Sequence, residues 1–556
     1  MSVPSTAAAR AVVAALVAAG VRDVVLAPGS RSAPLAYALH AAERAGWLNL
    51  HVRVDERSAG FVALGIARVR AAAVVTTSGT AVANLHPAVL EASHSDLPLV
   101  VLSADRPHEL RGVGANQTTD QVGLFGSATR WAGEIPADDA VGDRGVSVTI
   151  TRAVAAARGL RTGRPGPVHV NVAFRDPLTP DDEWTPGAVP TGSTRVAEVR
   201  GAAGSEVLVR GPRTVVVAGD AAGPEAARVA AAGAWPLLAE PSSAVRGAAG
   251  AVAAYRLVLD RLGPQIERVV VLGRPTLTRP VSALLARTDL DIVVVDPDGG
   301  PWVDVAGAAR AVVPGVTVPG SPSEGERAWA ARWQLASDAA AQGLSARFDG
   351  APLSGPSVAR AVLGSGGASL GAVVLGSSMA VRDADLAAPV GESYVSAPVV
   401  ANRGLAGIDG TISTAVGLAL ALDAPVRALL GDLTFQHDVG GLARGTLERE
   451  VDLQVIVLND DGGAIFATLE HGRPEHAAVF TRVFGTPQGV DVRALAAGFC
   501  AAHRFVGSAE ELAAVLAEPI VGRSVVEVAL DGSRARADEA ALAEHVLAAV
   551  RARLGD

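Results

Sequence analysis

Residues 431–466, GDLTFQHDVGGLARGTLEREVDLQVIVLNDDGGAIF, decide how this chain is read. An apolar run from Ala424 to Leu430 ends in Gly431-Asp432, and a second from Leu453 to Leu458 ends in Asn459-Asp460-Asp461-Gly462-Gly463. Between the two runs the pattern predicts a turn at His437 and Asp438 and a helix from Gly441 to Arg444. Strand, helix and strand make a parallel pair. Asp432 and Asp460, 28 positions apart, then fall at the carboxyl ends of neighbouring strands, where open α/β sheets bind ligands. Two carboxylates and the Gly462 carbonyl leave positions for phosphate oxygens, the hard-oxygen set that Mg²⁺ takes. The same residues also suit ordinary strand-to-helix turns, and the motif alone does not choose between the two.

Working outward, 556 residues exceed what one core holds, and three domains of ordinary size are expected. The residues are 49% apolar and 19% charged, so a large core can be buried. The balance of 57 acidic to 48 basic residues, a net charge of −9 spread without runs, argues against nucleic acid and anionic membrane as partners. No apolar stretch reaches spanning length, and the amino terminus lacks the order of a signal peptide, so a cytoplasmic protein is expected. Cys500, the only cysteine, rules out an intrachain disulfide and reads as a small buried hydrophobe. All 48 basic residues are arginine. Without lysine there is no Schiff-base aldolase, no pyridoxal phosphate attachment and no P-loop lysine, so carbon–carbon chemistry has to draw its carbanion from another kind of cofactor.

The first 180 or so residues follow a βα rhythm. Helix is expected over Thr6–Ala19, from Pro34, over Glu56–Arg70 and onward from Thr80 to Ala92; strand is expected over Val24–Ala27, Leu50–Val54, Ala73–Thr77 and Leu99–Ser103. Pro177 to about Gly211 has no sustained period and reads as a linker. Strands at Thr214–Ala218, Arg268–Leu272 and Asp291–Val295 make a second α/β unit, closed by a helix over Trp329–Ala340. The last third repeats the rhythm. The division expected is 1–185, 186–345 and 346–556, three doubly wound parallel-sheet domains.

Glu56, in Val-Asp-Glu-Arg-Ser-Ala-Gly (54–60), stands where a strand ends and a helix begins. On its own it is a first-turn acid that favours the helix dipole. Beside a metal and phosphate site it acquires a second reading, as a carboxylate able to exchange a proton with a bound cofactor.

The segments Ala-Pro-Gly-Ser-Arg-Ser (27–32), Asp-Glu-Arg-Ser-Ala-Gly (55–60), Thr-Ser-Gly-Thr-Ala-Val-Ala-Asn-Leu (77–85), Ser-Ala-Asp-Arg-Pro (103–107), Gly-Ala-Asn-Gln (114–117), Asn-Arg-Gly-Leu-Ala-Gly-Ile-Asp-Gly (402–410) and Gly-Asp-Leu-Thr-Phe (431–435) carry a resemblance. In this order they resemble the 2-succinyl-5-enolpyruvyl-6-hydroxy-3-cyclohexene-1-carboxylate synthases of menaquinone biosynthesis, thiamine diphosphate enzymes of three α/β domains. The middle third resembles the family loosely, at Gly273 to Arg279.

The resemblance implies decarboxylation of 2-oxoglutarate and addition of the succinyl-semialdehyde carbanion equivalent to isochorismate. It makes Glu56 the activator of the cofactor's pyrimidine, and Asp432, Asp460 and the Gly462 carbonyl the ligands of Mg²⁺, with Mn²⁺ as a substitute. Gly431, Leu433, Ile465 and Phe466 line the cofactor, and Ile408 is the apolar wedge that bends it. Ser30, Arg31, Arg106, Asn116, Gln117, Arg279, Ser378, Arg382 and Arg403 match positions that contact the two acids. Both acids are dianions, and a pocket for them calls for several guanidinium groups, which bind carboxylates bidentately. The resemblance also implies a cofactor shared between subunits, hence a dimer at least and a tetramer in the family. Two departures are visible: Asp460 stands where the family often has Asn, and Arg279 where some members have Lys. An acetolactate synthase-type carboligase is the nearest alternative, and its short apolar donor would not call for so many arginines; a non-catalytic relative that kept the fold is the other.

Overall fold

Runs of three or more valine, isoleucine, leucine and alanine residues mark most strands because both faces of a parallel sheet are covered by helices. The computed structural model describes residues 4–138, 142–191, 194–199, 204–299, 301–364 and 370–555. Among them every ladder between strands is parallel. The first sheet contains β1 Asp23–Leu26, β2 Asn49–Val52, β3 Ala72–Thr76, β4 Leu99–Asp105, β5 Trp131–Ile135 and β6 Val168–Ala173, in the order β2-β1-β3-β4-β6-β5. Seven strands follow: β7 Glu206–Val207, β8 Thr214–Ala218, β9 Leu237–Ala239, β10 Arg268–Leu272, β11 Asp291–Val295, β12 Ala311–Val313 and β13 Val316–Thr317. Of these β8 to β12 form a sheet in the order β12-β11-β10-β8-β9, while β7 pairs with β13. The last sheet contains β14 Ala372–Leu375, β15 Val399–Ala401, β16 Val426–Gly431, β17 Leu453–Asn459, β18 Ala502–Val506 and β19 Arg523–Ala529, in the order β15-β14-β16-β17-β19-β18.

Counted from its own first strand, the last sheet repeats the order of the first, 2-1-3-4-6-5, and the middle sheet shares its 2-1-3-4 portion. In each sheet the chain reverses direction between strand 1 and strand 3, and that switch point is where ligands bind in open sheets. For the first sheet the crevice lies beyond β1 and β3, at the turns 27–32 and 77–80. For the last it lies beyond β14 and β16, at Gly376–Ser378 and Gly431-Asp432.

The chain divides into two units, 1–200 with 402–424 and 437–452, and 201–401 with 425–436 and 453–556. In the first, Asp438 is fully buried and accepts the Ser413 N–H at 2.7 Å and its hydroxyl at 3.0 Å, tying the 437–452 segment to helix Thr411–Leu422. In the second, the buried Arg246 guanidinium donates to the carbonyls of Ala239, Asp385 and Ala388, joining the middle and last sheets.

Several expectations need correction. The helix expected over Gly441–Arg444 is a single 3-10 turn at Val439–Leu442, and the α-helix of this segment begins earlier, at Asp432–His437. Adjacent glycines at 440 and 441 do not sustain a helix. The helix expected from Thr80 to Ala92 is broken into Thr80–Ala83 and His86–His94. The segment from Pro177 is irregular but anchored: Trp184 meets Trp47 edge-on at 5.7 Å, and Arg10 both pairs with Asp182 and covers the Trp184 ring. Cys500 is exposed, in the left-handed turn (φ 56°) that leads from helix Val492–Gly498 toward β18, rather than buried.

Candidate active site

In the second unit, β16 and β17 end side by side, with Gly431 opposite Leu458. Asp432 follows the first strand and opens the helix, while Asp460 follows the second. Asp432 is 4% exposed and accepts the Leu433 N–H at 2.8 Å, and the Gly462 amide lies against both Asp432 and Asp460, where it holds each carboxyl down. Gly462 has φ 144°, and a Cβ there would lie 2.0 Å from the Gly485 carbonyl oxygen, so only glycine fits the turn that brings its amide to the carboxylates. Burial pushes the Asp432 carboxyl up to about 6. Burial and the charge of Asp432 push Asp460 up to about 7. Oδ1 of Asp460 is out of solvent and has no hydrogen-bond partner.

Two carboxylates, Asp432 close enough to raise the pKa of Asp460 and Asp460 with an unpartnered oxygen, could hold a cation. Among the described residues no group of three or more His, Cys, Asp or Glu side chains could hold a metal. Any ion here therefore relies on the two aspartates, a backbone carbonyl and ligand oxygens, which suits Mg²⁺ with a diphosphate. A cavity of about 380 Å³ opens at the same strand ends, lined among others by Met379, Asp383, Gly431, Asp460 and Leu530. Ile465 and Phe466 are half-buried on the short helix Ala464–Thr468. The Phe466 ring meets Phe484 at 5.8 Å. Ser378 sits at the N-cap position of helix Met379–Ala387 without making a cap hydrogen bond, and Arg382 donates to its carbonyl at 2.7 Å.

Because the folded chain holds protons on Asp432 and Asp460 above the ordinary value of 3.8, it binds more protons than the unfolded chain from about pH 4 to pH 7. The contribution of these two groups to metal-free stability therefore falls as pH rises through that window, and a bound cation would offset the loss. Mg²⁺ with inorganic diphosphate should raise Tm more at about pH 7.5 than at about pH 5.5; an equal shift at both, read by differential scanning calorimetry, would remove these carboxylates from the site.

In the first unit, the turns beyond β1, β3 and β4 converge. Arg106, 8% exposed, donates to Ser78 Oγ and to the Gln117 carbonyl at 2.7 Å. Gln117, at φ 54°, returns a bond from its amide to the Ser78 carbonyl at 2.9 Å. Burial and then the nearby charge of Arg31 lower the Arg106 pKa. Arg31 donates to the Phe174 carbonyl at 2.9 Å, and its buried Nε has no partner. Two guanidinium groups brought near each other, with Asp105 and Asp176 beside them, could take up an anion at this edge of the sheet. Ser30 and Asn116 are exposed on the flanking turns. Ser78 was legible only as a turn residue; its position after an apolar strand, in Ser-Gly-Thr, was the available signal.

Glu56 opens helix Glu56–Ala67, but Asp55 does the capping, accepting the N–H groups of Arg57 at 2.8 Å and Ser58 at 3.3 Å. Arg57 donates to the His437 carbonyl at 2.8 Å and fixes the start of this helix. The Glu56 carboxylate is half-buried and is engaged by no group among the described residues. Arg403 is 4% exposed and Ile408 half-buried, on the loop that leads into helix Thr411–Leu422. Arg279, in the second unit, is mostly exposed, and both its terminal nitrogens bond Glu470, at 2.7 and 3.1 Å.

The N-terminal TPP binding domain of thiamine pyrophosphate enzymes matches residues 6–124, and the C-terminal TPP binding domain matches residues 390–528. Three proteins named 2-succinyl-5-enolpyruvyl-6-hydroxy-3-cyclohexene-1-carboxylate synthase are similar along nearly all of their length. The one from Kineococcus radiotolerans is 52% identical over 99% of both chains. That from Paenarthrobacter aurescens is 48% identical over 99% of this chain and 98% of its own, and that from a Nocardioides species 48% over 94% of each. With both cofactor-domain matches and this identity end to end, the chain belongs to the 2-succinyl-5-enolpyruvyl-6-hydroxy-3-cyclohexene-1-carboxylate synthase family of thiamine pyrophosphate enzymes.

Proposed function

We propose that the protein decarboxylates 2-oxoglutarate and adds the resulting four-carbon unit to isochorismate, giving 2-succinyl-5-enolpyruvyl-6-hydroxy-3-cyclohexene-1-carboxylate and CO2. The single observation that carries the reading is the end-to-end identity with synthases of that name. When bound, thiamine diphosphate supplies the acidic thiazolium carbon at which a 2-oxo acid can lose CO2. The chain's residues do the rest. Asp432, Asp460 and the Gly462 carbonyl hold Mg²⁺ against the diphosphate. Glu56 would exchange a proton with the pyrimidine ring of the bound cofactor, and Ile408, Gly431, Leu433, Ile465 and Phe466 would shape the apolar walls that orient the ring and exclude water. Arg31, Arg106, Arg382 and Arg403, with Ser30, Asn116, Gln117 and Ser378, bind and orient the substrate carboxylates. Arg279, which pairs with Glu470, joins them as the weakest of the carried-over substrate contacts. The active assembly is at least a dimer. Among the described residues no helix is long and apolar enough to cross a membrane, and the substrates are small molecules that need none.

The test is to combine purified protein with thiamine diphosphate, Mg²⁺, 2-oxoglutarate and isochorismate and identify the product by mass; CO2 release without the adduct would leave only the donor half of the reading. An acetolactate-type carboligase would instead turn over pyruvate. Arg382→Ala and Arg403→Ala should each cost more than roughly tenfold in kcat/KM, with little change in Tm. Parallel losses of activity and stability would make these arginines structural.

A further inference from the structure

Arg403 is flanked by pinned backbone on both sides. Upstream, Arg68, at the end of helix Glu56–Ala67, donates to the Asn402 side chain at 3.0 Å, and Asn402 donates to Thr414 Oγ1 at 3.1 Å. Downstream, Glu91 on helix His86–His94 accepts the Gly404 N–H on one oxygen at 2.9 Å and the Leu405 N–H on the other at 2.8 Å. Ser95 Oγ donates to the first of these oxygens at 2.8 Å, and Arg68 stands 3.9 Å from it. Glu91 is 4% exposed, and a carboxylate so deep is tolerated only where donors fill its lone pairs. Gly404 leaves no space between loop and helix: a Cβ would lie 2.7 Å from Ser95 Oγ and 2.9 Å from the Glu91 carbonyl oxygen. The carboxylate thus fixes two consecutive peptide planes directly after Arg403, while Arg68 fixes the residue before it.

We propose that Glu91 is a positioning residue for substrate binding, holding the backbone at Arg403 so that the guanidinium meets a substrate carboxylate; this rests on the reading of Arg403 as a substrate ligand. Arginine binds a carboxylate in a planar fork whose geometry is lost if its base shifts by a fraction of an ångström to an ångström. Glu91→Gln preserves size but turns an amide NH2 toward one of the two backbone N–H groups, so one bond is broken and the loop is released.

The experiment is a double-mutant cycle on the full chain, with KM and kcat for both acids and Tm measured for Glu91→Gln, Arg403→Ala and the double variant. Glu91→Gln should raise KM for one acid about tenfold, with kcat within about twofold. In the Arg403→Ala background the same change should cost less than about twofold, because the group it positions is gone. A full additional loss in that background, or a wild-type KM for Glu91→Gln alone, overturns the proposal. Arg403→Ala with wild-type KM for both acids overturns the Arg403 assignment itself, which is a separable failure. Should Glu91→Gln not fold, Ser95→Ala removes one donor to the same carboxylate. It should show the same non-additivity on a loss of about threefold, and additivity there overturns the proposal equally.

Discussion

Glu56→Gln is expected to lower turnover by about 10²- to 10⁴-fold while leaving the fold and cofactor binding in place. Stability and activity can separate here because Glu56 has little structural work. Asp55, not Glu56, satisfies the amides at the start of the helix, and Arg57 makes the bond to the His437 carbonyl. What the substitution removes structurally is one first-turn charge, a contribution of at most about 1 kcal/mol. What it removes chemically is the only proton-exchanging group at that position, and glutamine keeps the shape without the proton. The measurements are kcat from product formation, Tm by calorimetry and cofactor affinity by equilibrium titration. Turnover near that of the wild type would show that the carboxylate takes no part in activation.

Strands were easier to read than helices, and the difference is physical. Thr214–Ala218, Arg268–Leu272 and Asp291–Val295 have the same bounds in the structure as in the sequence reading, because strands buried on both faces need unbroken β-branched runs and such runs end where burial ends. The helix expected over Trp329–Ala340 extends over Glu324–Phe348. Its start was written in a capping box, Ser323 with Glu326, but alanine-rich faces blur the apolar period on which the bounds depend. The site divides in the same way. Asp432, Asp460 and the turn arginines lie at strand ends, which local pattern locates. Arg279 instead opens helix Arg279–Leu285, its partner Glu470 is 191 positions away, and the Glu91 carboxylate reaches an amide 313 positions along the chain. No local pattern records such pairings.

Asp460→Asn should stay active, with weaker Mg²⁺ affinity in the absence of cofactor, whereas Asp432→Asn should weaken the Mg²⁺ dependence of activity by at least about 100-fold. The asymmetry follows from what each carboxylate already does. Asp460 carries an oxygen with no partner and stands under the charge of Asp432, so an amide relieves repulsion and still offers an oxygen to the metal. The metal-free Asp460→Asn protein should accordingly melt higher than wild type at about pH 7.5, since its folded state no longer holds a second buried anion. Asp432 is buried and accepts the Leu433 N–H. An NH2 group there would set a donor against that amide or against the metal, and would leave Asp460 as the only anionic ligand. Extra negative charge at Asp460 also repels the incoming diphosphate at short range, so the Asp460→Asn variant should lose less affinity for the metal–diphosphate pair than for the metal alone. Activity titrated against Mg²⁺ and against cofactor in both variants decides the matter. An inactive Asp460→Asn beside a working Asp432→Asn would mean that the metal ligands have been assigned to the wrong residues.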